Sequence, residues 1–133
     1  MSTTELLLNW YEEVWNKDNE SYIDQAMQRS ATIHGLDPSG SFKGTEQFKS
    51  FHKKFRESFP VIHIQVTPLV SDESMATGYC VITGRSADRR EVSFAGITVL
   101  KFEKGMMTES WNNFDFLKMY QQLGHILVSQ IAD

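Results

Sequence analysis

The sequence predicts an α+β fold in which a long antiparallel sheet curves around helices, and three observations predict it. Apolar residues recur at spacings of three and four as far as Phe59, then switch to a period of two from Val61 onward. Helices grouped ahead of a run of strands form separate layers rather than a doubly wound parallel sheet. The strand-like runs are joined by short segments such as Ala87-Asp88 and Lys104-Gly105, which suit antiparallel hairpins.

Each element has its own local reason. Residues 2 to 17 open on Ser2-Thr3-Thr4-Glu5, a Ser-x-x-Glu capping pattern, and carry Leu7, Trp10, Tyr11 and Val14 on one helical face. Asn19-Glu20-Ser21 interrupts, and Tyr22, Ile23, Ala26 and Met27 repeat the spacing as a shorter second helix. Ala31 to Gly35 reads as a short strand, and Asp37-Pro38-Ser39-Gly40 as a turn. Thr45 is positioned to cap a third helix with the stripe Phe48, Phe51, Phe55 and Phe59. Pro60 ends it, because proline disfavours helical geometry in the residue before it. Alternation at Ile62, Ile64 and Val66 then marks a strand, followed by strands over roughly 74 to 85, 90 to 103 and 106 to 113. Phe116, Leu117, Tyr120 and Leu123 return to helical spacing, with Gly124 as the stop.

The 133 residues make one domain, 1 to 133, able to bury about two thirds of the unfolded surface. Hydrophobic residues at 41% and charged residues at 23% are those of an ordinary folded domain and leave no case for disorder. A net charge of -4 with scattered Lys and Arg argues against nucleic acid as a partner, and Lys53-Lys54-Phe55-Arg56 and Arg89-Arg90 read as solvated surface. No apolar run approaches the roughly 20 residues of a membrane span, and the acidic N-terminal stretch does not resemble a signal peptide. The single Cys80 cannot form an intrachain disulfide, which fits a reducing compartment, and the chain is read as cytoplasmic. Four dispersed histidines with one cysteine do not build a zinc site.

Ile33-His34-Gly35, Gly44-Thr45-Glu46 and, above all, Glu109-x-Trp111-x-x-x-Asp115 followed by Gln121-Gln122-Leu123-Gly124 resemble the SnoaL-like polyketide cyclases, within the nuclear transport factor 2-like superfamily. The resemblance implies a cone-shaped α+β fold: a curved antiparallel sheet wrapped around three N-terminal helices, with a short C-terminal helix. It implies a hydrophobic small-molecule ligand in the cone, no metal or organic cofactor, and a homodimer formed through the sheet. It also implies that Asp115 acts as general acid and base in a ring closure or isomerisation of a carbonyl compound. Such chemistry needs a base beside the carbonyl, a donor to its oxygen and a closed apolar pocket. One departure is visible: Thr83 to Arg90 makes a short polar hairpin where many family members carry a longer insertion containing a histidine.

Two roles stay open for Asp115. As the N-cap of the last helix it would accept backbone N–H groups and hold a lowered pKa, whereas an apolar pocket beside Phe114 and Phe116 would raise it. Glu109, Trp111 and Asn113 share one face of the last strand. Facing the cone, Trp111 would be pocket wall and Asn113 a donor; otherwise Trp111 is core and Glu109 a rim carboxylate. Thr108, Ser110 and Asn112 read as the solvent face. His34, and more weakly His63, are candidates to bind or protonate a substrate oxygen, against a purely structural role. Tyr11, Trp15, Tyr22, Phe48 and Phe51 are candidates for the cavity wall. A cofactor-independent acid-base enzyme and a non-catalytic ligand-binding or dimerisation module are the two readings these residues support.

Overall fold

The computed structural model describes residues 1–38 and 40–125. Helix α1 (Thr3–Trp10) begins with the anticipated capping box, in which the Ser2 hydroxyl accepts from the Glu5 N–H at 3.1 Å and the Glu5 carboxylate reaches back to Ser2. The helix then widens into a π-helical stretch, Tyr11–Asn16, closed by the Lys17 N–H donating to the Glu12 carbonyl. The apolar stripe continues through it, so Leu7, Trp10, Tyr11, Val14 and Trp15 are all buried. Asn16 ends the stretch by pairing with an edge of the sheet: its amide donates to the Ile64 carbonyl at 2.9 Å and accepts from the Ile64 N–H at 2.7 Å. That pairing covers strand backbone that would otherwise need water.

Helix α2 (Ser21–Ala26) stops one residue short of the expected Met27, which instead starts strand β1 (Met27–Asp37). This strand is far longer than the five residues read from Ala31 to Gly35, and strand β2 (Gly40–Lys43), which the sequence did not announce, pairs back onto it. The anticipated turn does connect them, although its Ser39 lies outside the described residues. Helix α3 (Thr45–Ser58) is capped by Gly44, and Thr45, the expected cap, is its buried first residue.

Strands β3 (Val61–Ser71), β4 (Met75–Arg85), β5 (Glu91–Glu103) and β6 (Met106–Phe114) form the expected meander, and helix α4 (Phe116–Gln122) closes the described chain. Leu123 caps α4, and Gly124 follows at φ +86°, a left-handed conformation glycine adopts without penalty. The sheet runs β2-β1-β6-β5-β4-β3 and is curved and unclosed, with helices on its concave side. The pairings are antiparallel with one exception, β1 beside β6, which are parallel. A parallel neighbour needs a long crossover, and here the whole α3 and meander segment supplies it.

The stripe on α3 meets the large apolar partner it requires. Phe48 packs 5.2 Å from Trp10 and 6.2 Å from Trp15, and Phe51 and Phe55 add edge contacts to Trp15. Gly35 lets β1 cross β6 closely: it sits at φ +86°, and a Cβ there would lie 1.9 Å from the Asn112 carbonyl oxygen. No other residue type fits that approach.

Candidate functional site

The concave face of the sheet is set by a bulge in β6. Lys101 pairs with Glu109 but Phe102 pairs with Met107, so Thr108 is an extra residue with no partner in β5. One inserted residue reverses which side chains face which side. Met107 points inward before the bulge, and after it Ser110, Asn112 and Phe114 do so. The face read as solvent is therefore the one lining the cone. Glu109, Trp111 and Asn113 lie on the outer side, with Trp111 37% exposed.

Eighteen residues line a hollow between helices and sheet, among them Trp10, Tyr11, Trp15, Phe48, Phe94, Leu100 and Met107. Its volume is about 40 Å³, against roughly 150 Å³ for a cavity that admits benzene. The register orders its inward side chains along β6: Phe114 opposite Gly96, then Asn112 opposite Thr98, then Ser110 opposite Leu100. Phe116, at the start of α4, packs on Phe94 and Phe114 and marks the open end. Polarity thus lies at the deep end and aromatic rings at the mouth.

The deep polar groups form one chain whose directions can be assigned. The Asn112 amide nitrogen donates to the His34 backbone carbonyl at 2.9 Å, which fixes the amide orientation, since a carbonyl only accepts. Its oxygen therefore faces Thr98, whose hydroxyl donates to it at 2.8 Å. Tyr11 stands beside this chain, with Thr98 and Cys80 as neighbours of its hydroxyl. Asn112 also donates to Ser110 Oγ at 3.1 Å, leaving the Ser110 proton without an acceptor among the bonds of the described residues. Burial, above all, raises the Tyr11 pKa well above the usual phenol range, so it is a neutral donor at ordinary pH. Burial likewise pushes the Cys80 thiol up to about 12, which keeps it protonated and unreactive. No carboxylate, imidazole or amine is among the described residues lining the hollow.

The candidate residues divide into two groups. Tyr11, Trp15, Phe48 and Phe51 line the cavity together, as anticipated. Tyr22 is half-buried against the core but does not line the hollow. His34, Glu109 and Trp111 meet on the opposite side of the sheet: His34 Nε2 bonds Glu109 Oε2 at 2.6 Å, its Nδ1 bonds the Ser41 hydroxyl, and its ring stacks on Trp111 at 5.7 Å. Asn113 and His63 are exposed on that outer face too. Placing these five at the cavity therefore needs correction, because the bulge at Thr108 turns β6 over and alternation turns His34 away from the inward Ile33. Asp115 is exposed, and its Oδ1 accepts from the Lys118 N–H at 3.0 Å as the N-cap of α4. Its carboxylate does not line the hollow.

Thr98, Ser110 and Asn112 were missed as site residues. Thr98 alone carries a sequence signal, as a small polar residue within the apolar run from Ile97 to Leu100, whereas β6 is polar on both sides of its chain.

The mouth opens into a groove of about 730 Å³ bordered by Asp37, Phe51, Phe55, Phe59, Phe116, Met119, Tyr120 and the Ser86-Ala87-Asp88 turn. Phe51, Phe55, Phe116 and Leu36 border both groove and hollow. Among the described residues no helix is long and apolar enough to cross a membrane.

Comparison with known proteins agrees with this architecture. The family model for SnoaL-like polyketide cyclase matches residues 5–123. A candidate polyketide cyclase from Bacillus cereus is 31% identical over 90% of this chain and 78% of its own, with a TM-score of 0.78. One from Acidithiobacillus ferrooxidans is 24% identical over 92% and 94%, at 0.81. IdmH, a candidate polyketide cyclase from Streptomyces antibioticus, is 17% identical over 94% and 100%, at 0.80, and shares the fold. A search of curated proteins gave no match to the sequence. With its cone-like sheet, its helical cover and a family signature spanning nearly all the described residues, the chain belongs to the SnoaL-like polyketide cyclase family.

Proposed function

We propose that this protein binds a small apolar molecule carrying a carbonyl group, with the carbonyl held at the deep end of the cone by the Ser110 and Tyr11 hydroxyls. The observation that carries this reading is the uncommitted Ser110 proton in a hollow that Tyr11 also lines as a neutral buried phenol, with walls that apart from Asn112 are aromatic and aliphatic. Ligand sites of this kind pair an apolar wall with a few placed polar groups. Two O–H donors on a carbonyl oxygen would also polarise its carbon, so any reaction would be electrophilic, with proton removal left to the ligand's own groups. A general-base role for Asp115 is the competing reading, and its exposed, capping carboxylate speaks for the module over the acid-base enzyme.

Quenching of Trp10 and Trp15 fluorescence by a hydrophobic methyl ketone tests the proposal. Ser110→Ala or Tyr11→Phe is expected to weaken binding roughly tenfold, the equivalent of one hydrogen bond near 1.4 kcal/mol. Asp115→Asn is expected to leave it unchanged. Binding that is lost in Asp115→Asn and intact in Ser110→Ala would reverse the assignment.

A homodimer through the outer sheet face is supported by a separate observation. Tyr79 pairs with Ile97 and Val99 with Trp111 across three adjacent strands, and Tyr79, Ile97 and Trp111 are each more than a third exposed. Contiguous exposed apolar surface of this kind marks an association face. A cytoplasmic location belongs to the same proposal, supported by the free, buried Cys80.

A further inference from the structure

Resting on the carbonyl-binding reading above, we propose that the site selects ligands whose carbonyl stands at the end of a slender apolar chain, and that Phe51, Phe55 and Phe116 impose this selection. Three observations lead there. The hollow holds about 40 Å³, which is enough for a carbonyl with its adjoining carbon and far below the roughly 150 Å³ that one benzene ring requires. The far larger space, about 730 Å³, lies outside it in the mouth groove, walled by Phe59, Met119, Tyr120 and Leu123. Phe51, Phe55 and Phe116 border both spaces, so anything linking them passes these three rings.

The rings are held in place by their neighbours. Phe51 and Phe55 are 5.9 Å apart, both pack on the edge of Trp15, and Phe55 continues to Phe59 at 4.9 Å. Phe116 is held from the other side by Phe94 and Phe114. A ligand must therefore reach Ser110 and Tyr11 with its head while its body remains at the mouth, where apolar surface is buried without opening the core. A ketone within a fused ring cannot bring its oxygen to the deep end, because the ring itself would have to pass.

The test compares decan-2-one with 2-decalone, matched in carbon number but differing in whether the carbonyl ends a chain or sits in a fused ring. Binding is read by tryptophan quenching in a Trp111→Phe background, which removes the indole on the outer face. The chain ketone is expected to bind at least about tenfold more tightly, the usual scale of a steric distinction in an apolar pocket. Phe55→Ala, with Phe51→Ala as the second variant should the first be poorly folded, is expected to shrink that ratio by improving the ring ketone. Equal or tighter binding of 2-decalone by the background protein would overturn the selection while leaving the carbonyl reading intact. An unchanged ratio in both folded Phe variants would remove their assigned role. Failure of both ketones to bind would overturn both readings.

Discussion

The two faces of β6 carry nearly the same chemistry in sequence and have opposite fates in the structure. Ser110, Asn112 and Phe114 look into the cone, where Asn112 bonds Ser110, Thr98 and the His34 carbonyl; Glu109, Trp111 and Asn113 look outward, where the His34 ring joins Glu109 and Trp111 in a half-exposed network. Side chains of similar polarity thus hold a buried chain on one side and decorate a surface on the other. Phase, not residue type, decides between them, and Thr108 sets the phase.

Removing Thr108 breaks the comparison most severely. Deleting it would either turn Ser110, Asn112 and Phe114 outward or force Met107 and its neighbours out of register, and loss of the cooperative fold is expected by circular dichroism and thermal unfolding. A deletion protein that still folds and binds ligand would show that the bulge is dispensable.

Alkaline pH acts on the inner face of the sheet. Burial raises both Cys80, to about 12, and Tyr11, so the folded state holds protons the unfolded chain releases. The stability from these groups is full below the unfolded thiol pKa near ~8.5 and is lost as pH rises through the folded values. Stability in urea is expected to fall steeply from about pH 9 upward, and Cys80→Ala to flatten the first part of that fall. Burial lowers the pKa of His52, whose ring bonds the Val14 carbonyl at 2.9 Å, so its contribution runs the other way, present above about pH 6.5 and lost on acidification.

A paired substitution sharpens the contrast. Asn112→Ala strands the His34 carbonyl and the Thr98 hydroxyl and is expected to cost about 1–3 kcal/mol. Asn113→Ala, one residue along and facing out, is expected to stay within about 0.5 kcal/mol. Chemical denaturation of both measures the difference, and equal losses would contradict the assigned faces.

The smallest expected effect concerns Asp115. Asp115→Ala removes the bond to the Lys118 N–H and should cost about 1 kcal/mol of stability, as helix N-caps do. Ketone binding is expected to persist. A stable variant with binding abolished would restore the carboxylate to a role in the chemistry.

Much of this protein follows from local pattern. The capping box at Ser2, the helical stripe from Leu7 to Val14, the Phe stripe ended by Pro60 and the change of period at Val61 are short-range features, each set by backbone preference and by one apolar face. The two roles considered for Asp115 were also both local, and the capping geometry is the one present. Tyr11, Trp15, Phe48 and Phe51 could be placed at the cavity because a helix packed on a concave sheet has one direction in which to bury them.

What only the tertiary structure decided lies in long-range pairing. The insertion of β1 between β2 and β6, parallel to the latter, joins residues about eighty positions apart and leaves no periodic trace. The bulge at Thr108 is invisible to alternation because a strand pattern carries its period but not its absolute phase, and only the partner strand's hydrogen bonds set which face is inward. The chain by itself determined its elements and the kind of cavity they enclose. Which side chains enter that cavity depended on register, a property of two strands together.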